Sequence, residues 1–175
     1  MKRIMMAQEY GCVWSAIYLR DLYNNSYTIP PMNMGEDLTF NIQWLYLCNK
    51  AIGWYKKPVY HYFYNENSIS KDESPENIER KFIQLNKNVD VLNDFFRSKN
   101  VECCYEDGLI SLRLWACRPL TPLLMNDKYY HLWREKIDSI KGQILFNSGL
   151  SINIRIHFAL SWLRLTPILS KVKKN

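Results

Sequence analysis

The residues of this chain that could do chemistry gather between Met34 and Ser70. Gly35, Glu36 and Asp37 open a segment with helical spacing, so two adjacent carboxylates fall on its first turn, where the helix dipole favours anions. The stretch closes with alternating aromatics, Tyr60, Tyr62 and Tyr64, running into the polar turn Asn65–Ser70. A carboxylate at a helix start can take a proton from a hydroxyl placed within hydrogen-bond reach. An aromatic face beside it can pack in a core or line a groove for a ligand. A simple dipole-favoured helix start is the plainer reading of the same two carboxylates.

The elements that must position these groups follow from periodicity. Trp14, Ile17, Tyr18 and Leu22 share one face at helical spacing, which predicts a short helix or strand-to-helix passage over 12–24, stopped by Asn24-Asn25-Ser26. Residues 27–29 read as a short extended piece, ended by Pro30-Pro31. Leu38, Ile42 and Leu45 form one apolar stripe and Phe40, Trp44 and Leu47 another, so the helix from Gly35 to about Cys48 should be buried on two sides. Residues 51–55 and 59–64 read as strands separated by Lys56-Lys57-Pro58, with Tyr60, Tyr62 and Tyr64 on one face and Val59, His61 and Phe63 on the other. On that apolar face His61 is more often a satisfied, half-buried side chain than a metal ligand, and it is the one metal candidate of the stretch.

Beyond residue 73 the pattern becomes helical throughout. Ser74 is placed to cap a helix with Pro75 at its first position. Ile78, Phe82, Leu85, Val89, Leu92 and Phe96 then recur at spacings of four and three, as in an amphipathic helix packing on the body or, coiled-coil fashion, on a neighbour. Helices are expected over about 107–117 and 127–140, broken apart by Pro119 and Pro122. The segment from Ser151 is apolar on most sides but carries Arg155, His157 and Arg164. It fits either a docking helix with a basic end or an amphipathic helix lying on an anionic membrane surface.

Composition narrows the classes. With 175 residues, 47% apolar and 23% charged, the chain should bury a core. All 17 acidic side chains lie at or before Asp138, and Lys141, Arg155, Arg164, Lys171, Lys173 and Lys174 beyond it account for the net charge of +6. The excess is a tail rather than a basic stripe on the body, which argues against a nucleic-acid partner. Five cysteines form no CxxC pair and no Cys/His ligand spacing, consistent with free thiols in a reducing compartment. The N-terminus lacks signal-peptide features, and no uninterrupted apolar window is long enough to span a bilayer. A cytoplasmic chain, with peripheral contact to the inner face of the membrane as a possibility held open by the tail, is the expectation.

Three pieces in order resemble one family. Gly11-Cys12-Val13-Trp14 through Tyr18-Leu19-Arg20-Asp21-Leu22 resembles the "VW-x-K-LY-R-x-L" segment of family 2 glycosyltransferases. Gly35-Glu36-Asp37-Leu38-Thr39-Phe40-Asn41 resembles their "GED-L-x-F-N" acceptor-side motif, and Val59-Tyr60-His61-Tyr62 with Asn67-Ser68-Ile69-Ser70 their "YxY-R … NSIS" closing segment. The resemblance covers about 60 residues. It implies a hexosyl transfer from a nucleotide-sugar to a hydroxyl acceptor in glycan or polysaccharide biosynthesis. Asp37 would be general base, and Glu36 would orient the acceptor or Asp37 itself. Trp14, Gly35, Tyr60, Tyr62, Asn67 and Ser68 would contact substrate. The sequence departs from the family where Ala16 replaces a Lys and Phe63 an Arg, and no Asp-x-Asp occurs for the manganese or magnesium ion of a complete enzyme.

The resemblance therefore implies the acceptor-side, C-terminal portion of a nucleotide-sugar-transferase (GT-A) fold, truncated or split from its donor half. The expected architecture is an α/β fragment, predominantly helical, with short strands near 27–29, 51–55 and 59–64 and four to six helices. Residues 1–73 would be the transferase part and 74–175 a helical extension. Such a chain should take a sugar acceptor, bind a nucleotide-sugar only once the missing half is supplied, and hold no cofactor by itself. The rival from another class is a non-enzymatic helical interaction or membrane-surface module.

Overall fold

The computed structural model describes residues 1–6, 12–22, 27–48, 53, 57, 60, 61, 63, 71–147 and 149–165. Among them the protein is predominantly helical. The helices are α1 (Lys2–Met5), α2 (Glu36–Leu47), α3 (Pro75–Ser98), α4 (Glu106–Cys117), α5 (Asp127–Ile137), α6 (Lys141–Phe146) and α7 (Ile152–Trp162), linked by 3-10 turns.

The spine is α3. The Asn77 amide donates to Ser74 Oγ (3.3 Å), closing the N-terminal cap ahead of Pro75. Phe82, Leu85, Val89, Leu92 and Phe96 are all buried along its apolar stripe. Two clusters share that stripe. Met5, Ile42, Leu85, Val89, Leu92, Phe96, Leu112 and Ala116 form one, and Phe82, Ile110, Leu120, Leu124, Trp133, Ile137, Ile144 and Phe158 the other. The apolar face of α3 is thus covered by the chain's own helices rather than by a coiled-coil neighbour. Ile42 of α2 lies in the same cluster as Leu85 of α3, so the core spans the boundary expected at residues 73–74.

A polar node ties α3 to α4 inside this core. Asn86 is buried and donates to the Ala116 carbonyl (3.3 Å), while its Oδ1 accepts from Arg113 Nη1 (2.7 Å). Arg113 also pairs with Asp90. The helices expected over 107–117 and 127–140 form, the second closing in a 3-10 turn at Asp138–Ile140. Ser151 caps α7, its Oγ accepting from the Ile154 amide (3.4 Å).

The strands do not appear among the described residues, and this corrects the α/β expectation. Residues 27–29 carry no ladder. The side-chain amide of the fully buried Gln43 takes the place of a partner strand, accepting from the Thr28 amide (2.9 Å) and donating to the Thr28 carbonyl (2.9 Å). Pro30 and Pro31 then prevent extension of any pairing. In the ranges 51–55 and 59–64 only Gly53, Tyr60, His61 and Phe63 are described, none in a strand; the rest lies outside the described residues. The short helix or strand-to-helix passage expected over 12–24 is likewise replaced, within the described residues 12–22, by 3-10 turns at Val13–Ser15 and Arg20–Leu22. The Val13 amide is given to Asp37, and Ile17, an apolar member of the presumed stripe, is fully exposed.

Candidate functional site

The site forms where the 12–18 segment lies across the first two turns of α2. Asp37, half-buried on the first turn, accepts a hydrogen bond at Oδ2 from the Val13 amide (3.3 Å). One turn further on, Asn41 accepts from the Tyr18 hydroxyl through Oδ1. Asp37 and Asn41 are four residues apart and so share a helix face, which holds the segment at two points. Tyr18 also packs edge-on against Phe40 (ring centroids 5.2 Å) and Trp44 (4.8 Å), and Tyr27 against Phe40 (5.2 Å).

Trp14, next in sequence to the Asp37-bonded Val13, stacks on Tyr60 with ring centroids 4.5 Å apart and planes at 27°. Both rings remain about half exposed. Tyr60 thereby meets the 12–18 segment, and the two rings form an open aromatic platform one residue along the chain from the Val13 amide that Asp37 accepts. Such a surface suits the flat, apolar face of a sugar ring while leaving its hydroxyls to polar partners.

The Asp37 charge is felt around it. Burial, followed by the proximity of Asp37, raises both the Cys12 thiol and the Tyr18 phenol, so both stay protonated near neutrality. Glu36 is raised as well, by partial desolvation first; its own backbone amide opposes this and Asp37 adds to it. Asp37 Oδ2 is held by the Val13 amide, and Oδ1 carries no bond among the described residues.

Gly35 has a packing reason for its identity. Its φ of +81° lies in the left-handed region, and a Cβ there would stand 2.9 Å from Leu85 Cδ2 and 3.4 Å from Trp115. The loop before it is pinned from the other side by the buried Asn88, which donates to the Met32 (3.0 Å) and Met34 (2.8 Å) carbonyls. The start of α2, with its two carboxylates, is thereby fixed on α3 and α4.

Of the residues expected from sequence, Trp14 stacks on Tyr60, Asp37 bonds to Val13 next to Trp14, Glu36 adjoins Asp37 at the start of α2, and Gly35 faces Leu85 and Trp115. Tyr62, Asn67 and Ser68 lie outside the described residues. His61 is exposed and outside any strand. Among the described residues no three His, Cys, Asp or Glu side chains lie close enough to hold a metal ion. Sequence reasoning did not single out Tyr18, Asn41 or Gln43 as anchors. The four-residue spacing from Asp37 to Asn41 is the signal for one of them; the Thr28–Gln43 and Tyr18–Asn41 partnerships are long-range and leave no local pattern.

Compared with protein-family models, with curated proteins and with solved structures, the chain matches none.

Proposed function

We propose that residues 12–70 form the acceptor-side part of a glycosyltransferase, which binds a hydroxyl-bearing glycan and supplies the base for its attack on an activated sugar. One observation supports this best. Residues of three segments that resemble consecutive family 2 motifs meet in pairs: Val13 bonds to Asp37 and Tyr18 to Asn41, and Trp14 stacks on Tyr60. Independent helix-start and core-aromatic roles would not require that meeting.

In this reading the Trp14–Tyr60 platform seats an acceptor ring and Asp37 Oδ1 takes the hydroxyl proton as the oxygen attacks the anomeric carbon. Glu36 orients the acceptor or its neighbour. A nucleotide-sugar and its manganese or magnesium ion belong to a donor half, and the complete enzyme would work in the cytoplasm.

Two measurements test the proposal. Saturation-transfer NMR on this chain with a panel of oligosaccharides should show sugar protons contacting aromatic side chains, lost in Trp14→Ala at unchanged melting temperature. Joined to a donor half, the chain should transfer sugar, and Asp37→Asn should lower kcat by about 10²–10⁴-fold with the fold intact. Retained transfer by Asp37→Asn would overturn the assignment of the base, and glycan binding indifferent to Trp14 would overturn the platform. The rival helical interaction module loses one support, since the α3 stripe is consumed internally. Its membrane-surface form rests on α7.

A further inference from the structure

The exposed thiols of the molecule sit side by side. Cys103 and Cys104 are both exposed, Cys12 and Cys48 are partly covered, and Cys117 is buried, its thiol pushed up to about 12 by desolvation. The exposed pair occupies the middle of the 3-10 turn Glu102–Tyr105, between α3 and α4. Both ends of that turn are anchored. The Cys104 amide donates to the Val101 carbonyl (2.9 Å) and the Val101 amide to the Phe96 carbonyl (3.1 Å), while Tyr105 stacks on Phe96 (centroids 4.5 Å).

Neighbouring side chains of a 3-10 turn point about 120° apart. The two thiols meet all the same, the Cys104 S–H donating to the Cys103 sulfur. That bond is the main reason why Cys104 holds its proton more tightly than an ordinary thiol; the charge of Cys103, slight desolvation and the Glu102 carboxylate add to it. The contact divides the roles. Cys104 keeps a proton in place, and Cys103 presents its sulfur. Cys103 also lines an open cleft with Arg97 of α3 and Glu106 of α4, which gives a small reagent access to it. An exposed thiol oxidised alone stays a sulfenic acid or passes on to irreversible acids, whereas a second thiol in contact diverts it to a disulfide.

We propose that Cys103 and Cys104 form a reversible oxidation site for hydroperoxides, closing to a disulfide between neighbouring residues. With hydrogen peroxide, the Cys103 sulfur attacks one peroxide oxygen and the O–O bond breaks. Cys103 becomes a sulfenic acid, and the departing hydroxide leaves as water with the Cys103 proton. The Cys104 sulfur then attacks the Cys103 sulfur, the S–O bond breaks, and a second water leaves with the Cys104 proton. The two thiols lose two electrons, and one peroxide becomes two waters. Consecutive Cα atoms lie about 3.8 Å apart, less than an ordinary disulfide spans. The ring is therefore strained, and glutathione reopens it readily. This inference does not depend on the glycosyltransferase reading.

The reduced chain, treated with a small molar excess of hydrogen peroxide and mapped by mass spectrometry, tests the site. The tryptic peptide 100–113, cut after Lys99 and Arg113, holds Cys103 and Cys104 as its only cysteines. Its mass should fall by two hydrogen atoms and return to the starting value with reduced glutathione. Cys104→Ser should instead hold the Cys103 sulfenic acid, labelled by dimedone at least about tenfold more than the wild type. Cys103→Ser should be labelled several-fold less than Cys104→Ser, because Cys104 keeps its proton. Both positions are exposed, so the melting curves should not change, and the wild-type map decides even where a variant folds poorly. A wild-type peptide that gains oxygen without losing hydrogen would overturn the proposal. So would a link between two chains on a non-reducing gel, or oxidation of Cys12 or Cys48 while this peptide stays reduced.

Discussion

The two halves of the described structure are held by different forces. From Pro75 to Trp162 the helices are joined by apolar side chains with little or no exposure, Phe82, Leu92, Phe96, Leu120, Ile137 and Ile144 among them. From Cys12 to Met34 the chain has few such anchors, and Ile17, Leu19 and Ile29 stand exposed. It is held by directed bonds instead: Gln43 to both backbone groups of Thr28, Asn88 to the Met32 and Met34 carbonyls, Asn41 to Tyr18 and Asp37 to Val13. Burial is strong but non-directional, whereas hydrogen bonds fix position at small net free energy. A segment that buries few apolar side chains cannot be fixed by packing, so its geometry comes from the second kind of force.

This contrast is tested most severely at Phe96. It is fully buried on α3, stacked on Tyr105 (centroids 4.5 Å) and set edge-on to Tyr46 (5.6 Å). Phe96→Ala should cost about 3–5 kcal/mol and lower the melting temperature of the whole molecule, including α2, because Ile42 shares that cluster. If circular dichroism shows α2 melting separately from α3, the two halves are less coupled than the common core requires.

Gln43→Leu should act on the other side of the comparison. The variant keeps the side chain's bulk but removes the bonds to Thr28, whose exposed backbone can turn to water, so the expected cost is about 1 kcal/mol. Hydrogen exchange should speed up at the Thr28 amide while protection in α3 stays unchanged. Loss of α3 protection would show that the anchor supports the core as well as the loop.

The same division explains what could be read from the sequence. The helices of the 75–162 half were legible because their signals are local: Ser74 and Pro75 at a start, the repeat from Phe82 to Phe96, prolines at 119 and 122. The strand expected over 27–29 was wrong because an extended segment needs a partner for its backbone, and no local pattern reveals that Gln43, fifteen residues on, supplies one. The short helix or strand-to-helix passage over 12–24 failed similarly. Trp14, Ile17, Tyr18 and Leu22 have helical spacing, yet Trp14 stacks on Tyr60 and Tyr18 turns to Asn41. For the site, Trp14 stacks on Tyr60 and its neighbour Val13 bonds to Asp37, partnerships between distant residues that no local pattern shows. Gly35 was singled out as a substrate contact, and its left-handed backbone against Leu85 and Trp115 gives it a structural role that the sequence could not show.

The smallest effect concerns Glu36, whose neighbourhood reports how far the start of α2 excludes water. Its native pKa is raised, chiefly by desolvation and further by Asp37, against the pull of its own backbone amide. A carboxylate with a raised native pKa binds its proton more tightly in the folded state than in the unfolded one. Its contribution is therefore fully favourable below the ordinary glutamate value and declines as pH rises from that value through the raised one, after which the loss is complete. The stability of the wild type relative to Glu36→Gln, taken from urea titrations at a series of pH values, should fall across that window and be level on either side. Water screens a side chain this exposed, so the slope will be shallow. A relative stability that rises with pH instead would mean that the helix dipole outweighs desolvation at Glu36. The carboxylate pair would then face open solvent, and the 12–34 segment with its polar anchors would shield the start of α2 from water less than the desolvation of Glu36 implies.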